Sequence, residues 1–191
     1  MKTPGKLVVL TGASGAGKTT IAKRIAAEAS PAIDCFHFDR IGVPSREQMD
    51  AELGSAWNWQ RAKTLEWIKR IQNEFLSAGK PVLFEGQMQV PHIIEACEIV
   101  GVADYEIVLI DCDDLSRENR LRFNRHQPEL AGEQMMNWAR FLRNQAVKVN
   151  ARILDASQSS IEDCVSEILG LLAAEGRVWL RPRDEGPQPE L

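Results

Sequence analysis

The stretch LVVLTGASGAGKTT, residues 7–20, limits what this chain can fold into more than any other. A short apolar run enters a glycine-rich turn, and Lys18, Thr19 and Thr20 open a segment with helical apolar spacing. Gly12, Gly17, Lys18 and Thr19 fit G-x-x-x-x-G-K-[ST], the phosphate-binding P-loop pattern, and a strand before with a helix after is the context that pattern requires. The main chain from Gly12 through Ala13, Ser14, Gly15, Ala16 and Gly17 to Lys18, Thr19 and Thr20 is expected to turn its amides toward phosphate oxygens, aided by the dipole of the following helix. Lys18 is expected at the β- and γ-phosphates, and the Thr19 hydroxyl on Mg²⁺. The rival dinucleotide fingerprint, G-x-G-x-x-G/A, would have to start at Gly15 and meets Thr20 where Gly or Ala is needed. A triphosphate, ATP, is the expected ligand.

The rest of the chain continues the alternation. Strand-like runs occur at 6–11, 32–38, 81–86, 105–111 and 151–156. Helical spacing predicts helices over 18–29, 57–77, 133–150 and 160–174, each with an apolar stripe. That is the pattern of a parallel sheet covered on both faces. With 191 residues the expectation is one α/β domain over 1–178 and a disordered tail over 179–191, which is charged and proline-rich.

Charge and cysteine content narrow the class. A net charge of −4, from 23 basic and 27 acidic side chains, argues against a nucleic-acid polymer as partner. Cys35, Cys97, Cys112 and Cys164 are widely spaced and suggest neither a disulfide framework nor a zinc site. No signal peptide or bilayer-length apolar run is present, so a cytoplasmic location without membrane partners is expected. There is no N-K-x-D or T-K-x-D element of switch GTPases, no H-R-D or D-F-G, and no L-S-G-G-Q. The chain is also short for a helicase or ring-forming ATPase.

Together, residues 12–20, FHFDR, VLFEGQ, SRENRLRFNR and ILDAS resemble the small P-loop kinases, which include nucleoside, nucleotide, shikimate and gluconate kinases. The resemblance implies a three-layer P-loop NTPase fold. Its sheet has five parallel strands in order 2-3-1-4-5, and a small helical lid covers the nucleotide at about 115–132. It implies ATP and Mg²⁺ as cofactors, and phosphoryl transfer to a small-molecule acceptor: a nucleoside, a nucleotide or another metabolite.

Three carboxylates end strand-like runs. Asp39 follows the second, at the sheet end where α/β folds place ligands. In uridine-kinase-like and shikimate-kinase-like members such a carboxylate faces the acceptor hydroxyl, as proton acceptor or positioning group. Glu85 ends PVLFEG and resembles the uridine-kinase pattern in which this glutamate helps hold Mg²⁺. Asp111 is its rival, but Asp113 and Asp114 follow at once and a helix begins near Leu115, where acidic residues are favoured as caps. The resemblance also leads the fourth strand into the lid, so Glu85 ranks first.

Arg117, Arg120, Arg122 and Arg125 fall within nine residues, and guanidinium forks suit a transferring phosphoryl group. Arg117 and Arg125 are the catalytic candidates. In ILDAS the resemblance places the turn after the last strand beside adenine, with Asp155 orienting it. Residues 40–61 are the expected acceptor cover: Arg40, Arg46 and Arg61 for an anion, Trp57 and Trp59 for stacking, with Gln87 and Gln89, just past Glu85, adding polar specificity. Packing of both tryptophans at a helix start is the competing expectation. An alternative from another class is a nucleotide-dependent ATPase or switch acting on a protein partner.

Overall fold

In the computed structural model, which describes residues 4–173, the five apolar runs form strands β1 (Leu7–Thr11), β2 (Asp34–His37), β3 (Val82–Glu85), β4 (Tyr105–Asp111) and β5 (Arg152–Asp155). They pair in parallel in the order 2-3-1-4-5. The expected tail at 179–191 lies outside the described residues. Helices α1 (Lys18–Ala29), α2 (Arg46–Leu53), α3 (Ala56–Glu74), α4 (Val90–Val100), α5 (Asp114–Asn119), α6 (Glu133–Lys148) and α7 (Ile161–Ala173) connect and flank the strands.

The β1 side chains divide the core. Leu7 and Val9 face a cluster with Phe84, Ile107, Trp67, Ile71, Ile93 and Leu142, under α3, α4 and α6. Val8 and Leu10 face the other, with Leu83, Val108 and Ile110 under Ile21, Ile25, Val165 and Ile168 of α1 and α7. Alternation with period two therefore serves two apolar layers at once. That is why β1, β3 and β4 read as unbroken apolar runs and are buried throughout.

Register decides which chemistry meets at the sheet's carboxyl end. His37 pairs with Glu85, Leu10 with Glu85 across the next strand, and Asp111 with Asp155. Glu85 thus ends the strand between β2 and β1, while Asp111 ends the strand between β1 and β5.

Two helices were not marked by apolar spacing. α4 buries Val90, Ile93, Ala96 and Cys97 but has few polar residues to outline a wet face, and Pro91 in its first turn reads as a breaker until seen as a start. α2 has no fully buried residue. It is defined by a capping box in which Ser45 and Gln48 exchange side-chain and backbone bonds. Residues 114–132 are α5, one π-helical turn at Arg120–Asn124 and a 3₁₀ turn at Pro128–Leu130. Among the described residues no helix is long and apolar enough to cross a membrane.

Candidate active site

The P-loop closes tightly on the sheet. Gly12 has φ 142°, and a Cβ there would lie 2.2 Å from the Ile110 carbonyl oxygen, so a side chain would force β1 and β4 apart. Gly17 caps α1 from a left-handed conformation (φ 107°), turning the first free amides of the helix into the loop. Lys18 lies behind them, buried, its Nζ donating to the Ala13 carbonyl at 3.1 Å. Burial lowers its pKa to about 8; Arg117 and Arg125 act in the same direction, and Glu85 and Asp39 oppose them.

Thr19 and Glu85 meet. The Thr19 hydroxyl donates to Glu85 Oε1 at 3.2 Å, and the same oxygen lies 2.6 Å from His37 Nδ1. Glu85 is buried, yet no arginine or lysine forms an ion pair with it among the described residues. Gly86 lets the chain leave under Phe38, whose Cβ would be 2.5 Å from any Cβ at that position. Asp39 sits next to this group, exposed, on the 3₁₀ turn Phe38–Ile41 that follows β2.

Asp111 is differently placed. Its Oδ1 accepts from Arg117 Nη2 at 2.6 Å and from the Cys112 amide at 2.8 Å, and its Oδ2 accepts from Arg143 Nε at 2.7 Å. Both oxygens are taken, and nothing about it resembles an open ligand.

The four clustered arginines separate. Arg117 is fully buried beneath the P-loop, donating to the Ser14 carbonyl at 3.0 Å and the Cys112 carbonyl at 3.2 Å as well as to Asp111. It is not on a movable surface: its Nη groups go to backbone carbonyls and Asp111, its Nε is buried without a partner among the described residues, and the expected catalytic position on a lid does not fit it. Arg120 bridges the Ala16 carbonyl at 3.1 Å and the Ala156 carbonyl at 2.6 Å, fastening the loop to the turn after β5. Arg122 pairs outward with Glu118 at 2.7 Å. Arg125 is exposed, makes no ion pair among the described residues, and lines the nucleotide-sized cavity.

That cavity, of about 460 Å³, runs from Gly15–Thr20 past Arg120 and Arg125 to Ala156 and Ser160. Asp155 shapes its far wall: its Oδ1 accepts from the Ser157 amide at 2.9 Å and from the Ser157 hydroxyl, a turn motif that leaves Ala156 facing the space.

The expected acceptor cover is only partly packed, with Arg40, Arg46 and Trp57 exposed. Trp59 is buried, edge-on to Phe38 and bonded through Nε1 to Glu52 at 3.0 Å. Trp57 meets His92 edge-on at 4.4 Å. Arg61 is bound to Glu95, and Arg46 lies near Asp50. Gln87 accepts from the Ser14 hydroxyl at 3.1 Å, while Gln60, Gln89 and Gln145 form a chain of amide bonds that fixes the loop after β3.

An AAA-domain family model matches residues 8–135, well over half of the sequence. The chain belongs to the AAA-domain family. No curated protein sequence matches this AAA-domain protein. Among solved structures it is similar to a shikimate kinase from Acinetobacter baumannii, determined in complex with shikimate. The two are 16% identical over 89% of this chain and 94% of that one, with a TM-score of 0.58. A thymidylate kinase from Candida albicans is 13% identical over 88% and 91%, TM-score 0.61. An APS kinase from Mycobacterium tuberculosis, bound to AMPPNP and APS, is 18% identical over 90% and 99%, TM-score 0.57. At these identities the likeness shows the fold, that of small P-loop kinases.

Three residues escaped the sequence reading. His37 beside Glu85 is visible only through the β2–β3 register. Arg143, which occupies the second oxygen of Asp111, lies 32 positions away on α6. Arg120 ranks behind Arg117 and Arg125 in the sequence until the P-loop carbonyls set it apart.

Proposed function

We propose that this protein transfers the γ-phosphoryl group of ATP to a hydroxyl of a small-molecule acceptor. The observation that carries the reading is the Thr19–Glu85 pair at 3.2 Å, set at the mouth of a P-loop whose Lys18 also senses the charges of Asp39 and Arg125. A hydroxyl and a carboxylate are hard oxygen donors suited to Mg²⁺, which takes one or two carboxylates and completes its shell with phosphate and water. Among the described residues no three His, Cys, Asp or Glu side chains gather into a closed metal cage, consistent with a metal held jointly with substrate. Bound there, Mg²⁺ would neutralise charge between the β- and γ-phosphates.

The protein's own groups divide the remaining work. P-loop amides and Lys18 hold the triphosphate in one orientation. Asp39 aligns the acceptor hydroxyl and takes its proton as the new O–P bond forms. The bond from the γ-phosphorus to the bridging oxygen breaks, and ADP leaves. Arg125, which makes no ion pair among the described residues, stabilises charge on the equatorial oxygens. Arg117 and Arg120 keep the loop's shape rather than touching phosphate. Of the lid expected at about 115–132, Arg117 and Arg120 anchor the first part to the P-loop, so closure over the nucleotide falls to the part from Arg125 onward, and Asp155 orients the turn that flanks the base.

Turnover of ATP with Mg²⁺ across nucleosides, nucleoside monophosphates, sugars and sugar acids, with products read by mass, tests this. One acceptor should gain a phosphoryl group, and Asp39→Ala should reduce that transfer by a hundredfold or more. Slow hydrolysis that no acceptor stimulates and that Asp39→Ala leaves unchanged would overturn the reading in favour of a switch or ATPase.

A further inference from the structure

A second large cavity, of about 640 Å³, adjoins the site on the side away from the nucleotide cavity. Gln87, whose Oε1 accepts from the P-loop Ser14 hydroxyl at 3.1 Å, forms part of its wall, so the space begins one side chain from the phosphate loop. Across from Gln87 stand Trp138 and Phe141 of α6, with ring centroids 5.3 Å apart and planes inclined by 27°. Such a stacked pair is a shelf for a third planar ring.

The polar groups around the shelf are neutral or acidic. The Gln87 amide nitrogen makes no hydrogen bond among the described residues, and the Trp138 indole N–H is buried without a partner. Asn137 adds its amide nitrogen, its Oδ1 being taken by Arg140 Nη1 at 2.9 Å, and Glu129 stands at the wall. Among the described residues no lysine, arginine or histidine lines the space. An anionic acceptor would meet a carboxylate and find no cation. A neutral planar ring carrying its own donors and acceptors would stack on Trp138 and Phe141 and engage the free Gln87 amide.

We infer that this cavity seats the acceptor, and that the acceptor is a neutral heteroaromatic compound bearing a hydroxyl, in chemical class a nucleoside, held by Trp138, Phe141 and Gln87. The inference rests on the kinase reading for its catalytic step and not for its binding site. It also moves the stacking surface to α6 from Trp59, which is buried, and from Trp57, which stands edge-on to His92.

Steady-state kinetics of the full chain with ATP and Mg²⁺ should rank nucleosides above sugar acids and above the corresponding nucleoside monophosphates. Trp138→Ala should raise the acceptor KM about ten- to a hundredfold, the range expected for losing one stacked base. The KM of ATP should stay within about twofold, and Trp138→Phe should restore most of the loss. Melting curves of both variants separate a binding defect from a folding one. Preference for an anionic acceptor, or an acceptor KM unmoved in a folded Trp138→Ala protein, overturns the assignment while leaving a kinase. Direct titration of nucleosides into the AMPPNP-bound chain, read by tryptophan fluorescence, covers a protein that transfers nothing. Binding weakened by Trp138→Ala upholds the pocket although the kinase reading falls, and no binding ends both.

Discussion

Glu85 and Asp111 are near twins in sequence: each ends an apolar strand, each is buried, and each flanks β1 at the same end of the sheet. Their surroundings differ. Asp111 meets two guanidinium groups and a backbone amide, which use both its oxygens. Glu85 meets a hydroxyl and an imidazole, and its charge is felt by Lys18. One carboxylate is consumed in holding the P-loop's foundation. The other keeps its Oε2 without a hydrogen bond among the described residues, which is what the proposed metal role requires. Burial and position at a strand end do not distinguish the two roles; the identity of the neighbouring donors does.

The largest expected effect tests the consumed member. Asp111→Ala leaves the fully buried Arg117 without its counter-ion, which costs about 3–5 kcal/mol for a pair of this kind. The melting temperature should fall by roughly 10 °C. An exposed pair such as Arg70–Glu74 is worth only about 0.3–0.5 kcal/mol. Thermal unfolding that is unchanged in Asp111→Ala, together with lost magnesium-dependent turnover, would reverse the two assignments.

Glu85→Gln keeps the size and the bond to Thr19 but removes the charge. Turnover should drop about a hundredfold, and the magnesium concentration needed for half-maximal rate should rise, with the melting temperature moving by no more than about 3 °C. Kinetics across a magnesium series alongside calorimetry reads both quantities from one preparation.

The smallest effect is in pH. Lys18 has its pKa lowered to about 8 by burial, so the free protein loses this ammonium as pH rises through about 8. A triphosphate favours the charged form, so nucleotide affinity should weaken above that pH, and binding at pH 8 should take up about half a proton. Calorimetry in two buffers of different ionisation enthalpy measures the uptake. Because Glu85 raises the Lys18 pKa, Glu85→Gln should shift the weakening to lower pH, and Asp111→Asn should shift it less. For stability the sign is opposite. The unfolded chain holds more protons on this lysine between about pH 8 and 10.5, so its contribution grows with pH across that window.

How much of this was legible in the sequence follows from how local each signal is. The P-loop is contiguous, so its residues and the elements beside it could be read directly. Strand order came through resemblance and agrees with the structure. The fates of Glu85 and Asp111 depend on His37, Thr19, Arg117 and Arg143, partners that register and helix packing bring together from separate segments. Arg117 and Arg125 look alike in a helical projection, yet one faces backbone carbonyls under the loop and the other faces open space. The aromatic pair on α6 was hidden because an i, i+3 spacing of Trp138 and Phe141 reads as an ordinary apolar stripe.

The wide turn at Arg120–Asn124 gives the chain one residue of slack. A π-helical turn holds one residue more than the α-helix around it. Deleting a single residue there would let it relax to regular helix. The extra residue is taken up inside the turn, so the side chains beyond it would keep their direction and Arg125 would stay on the cavity wall. A descendant one residue shorter would look misaligned across this segment and still present the same arginine to the cavity.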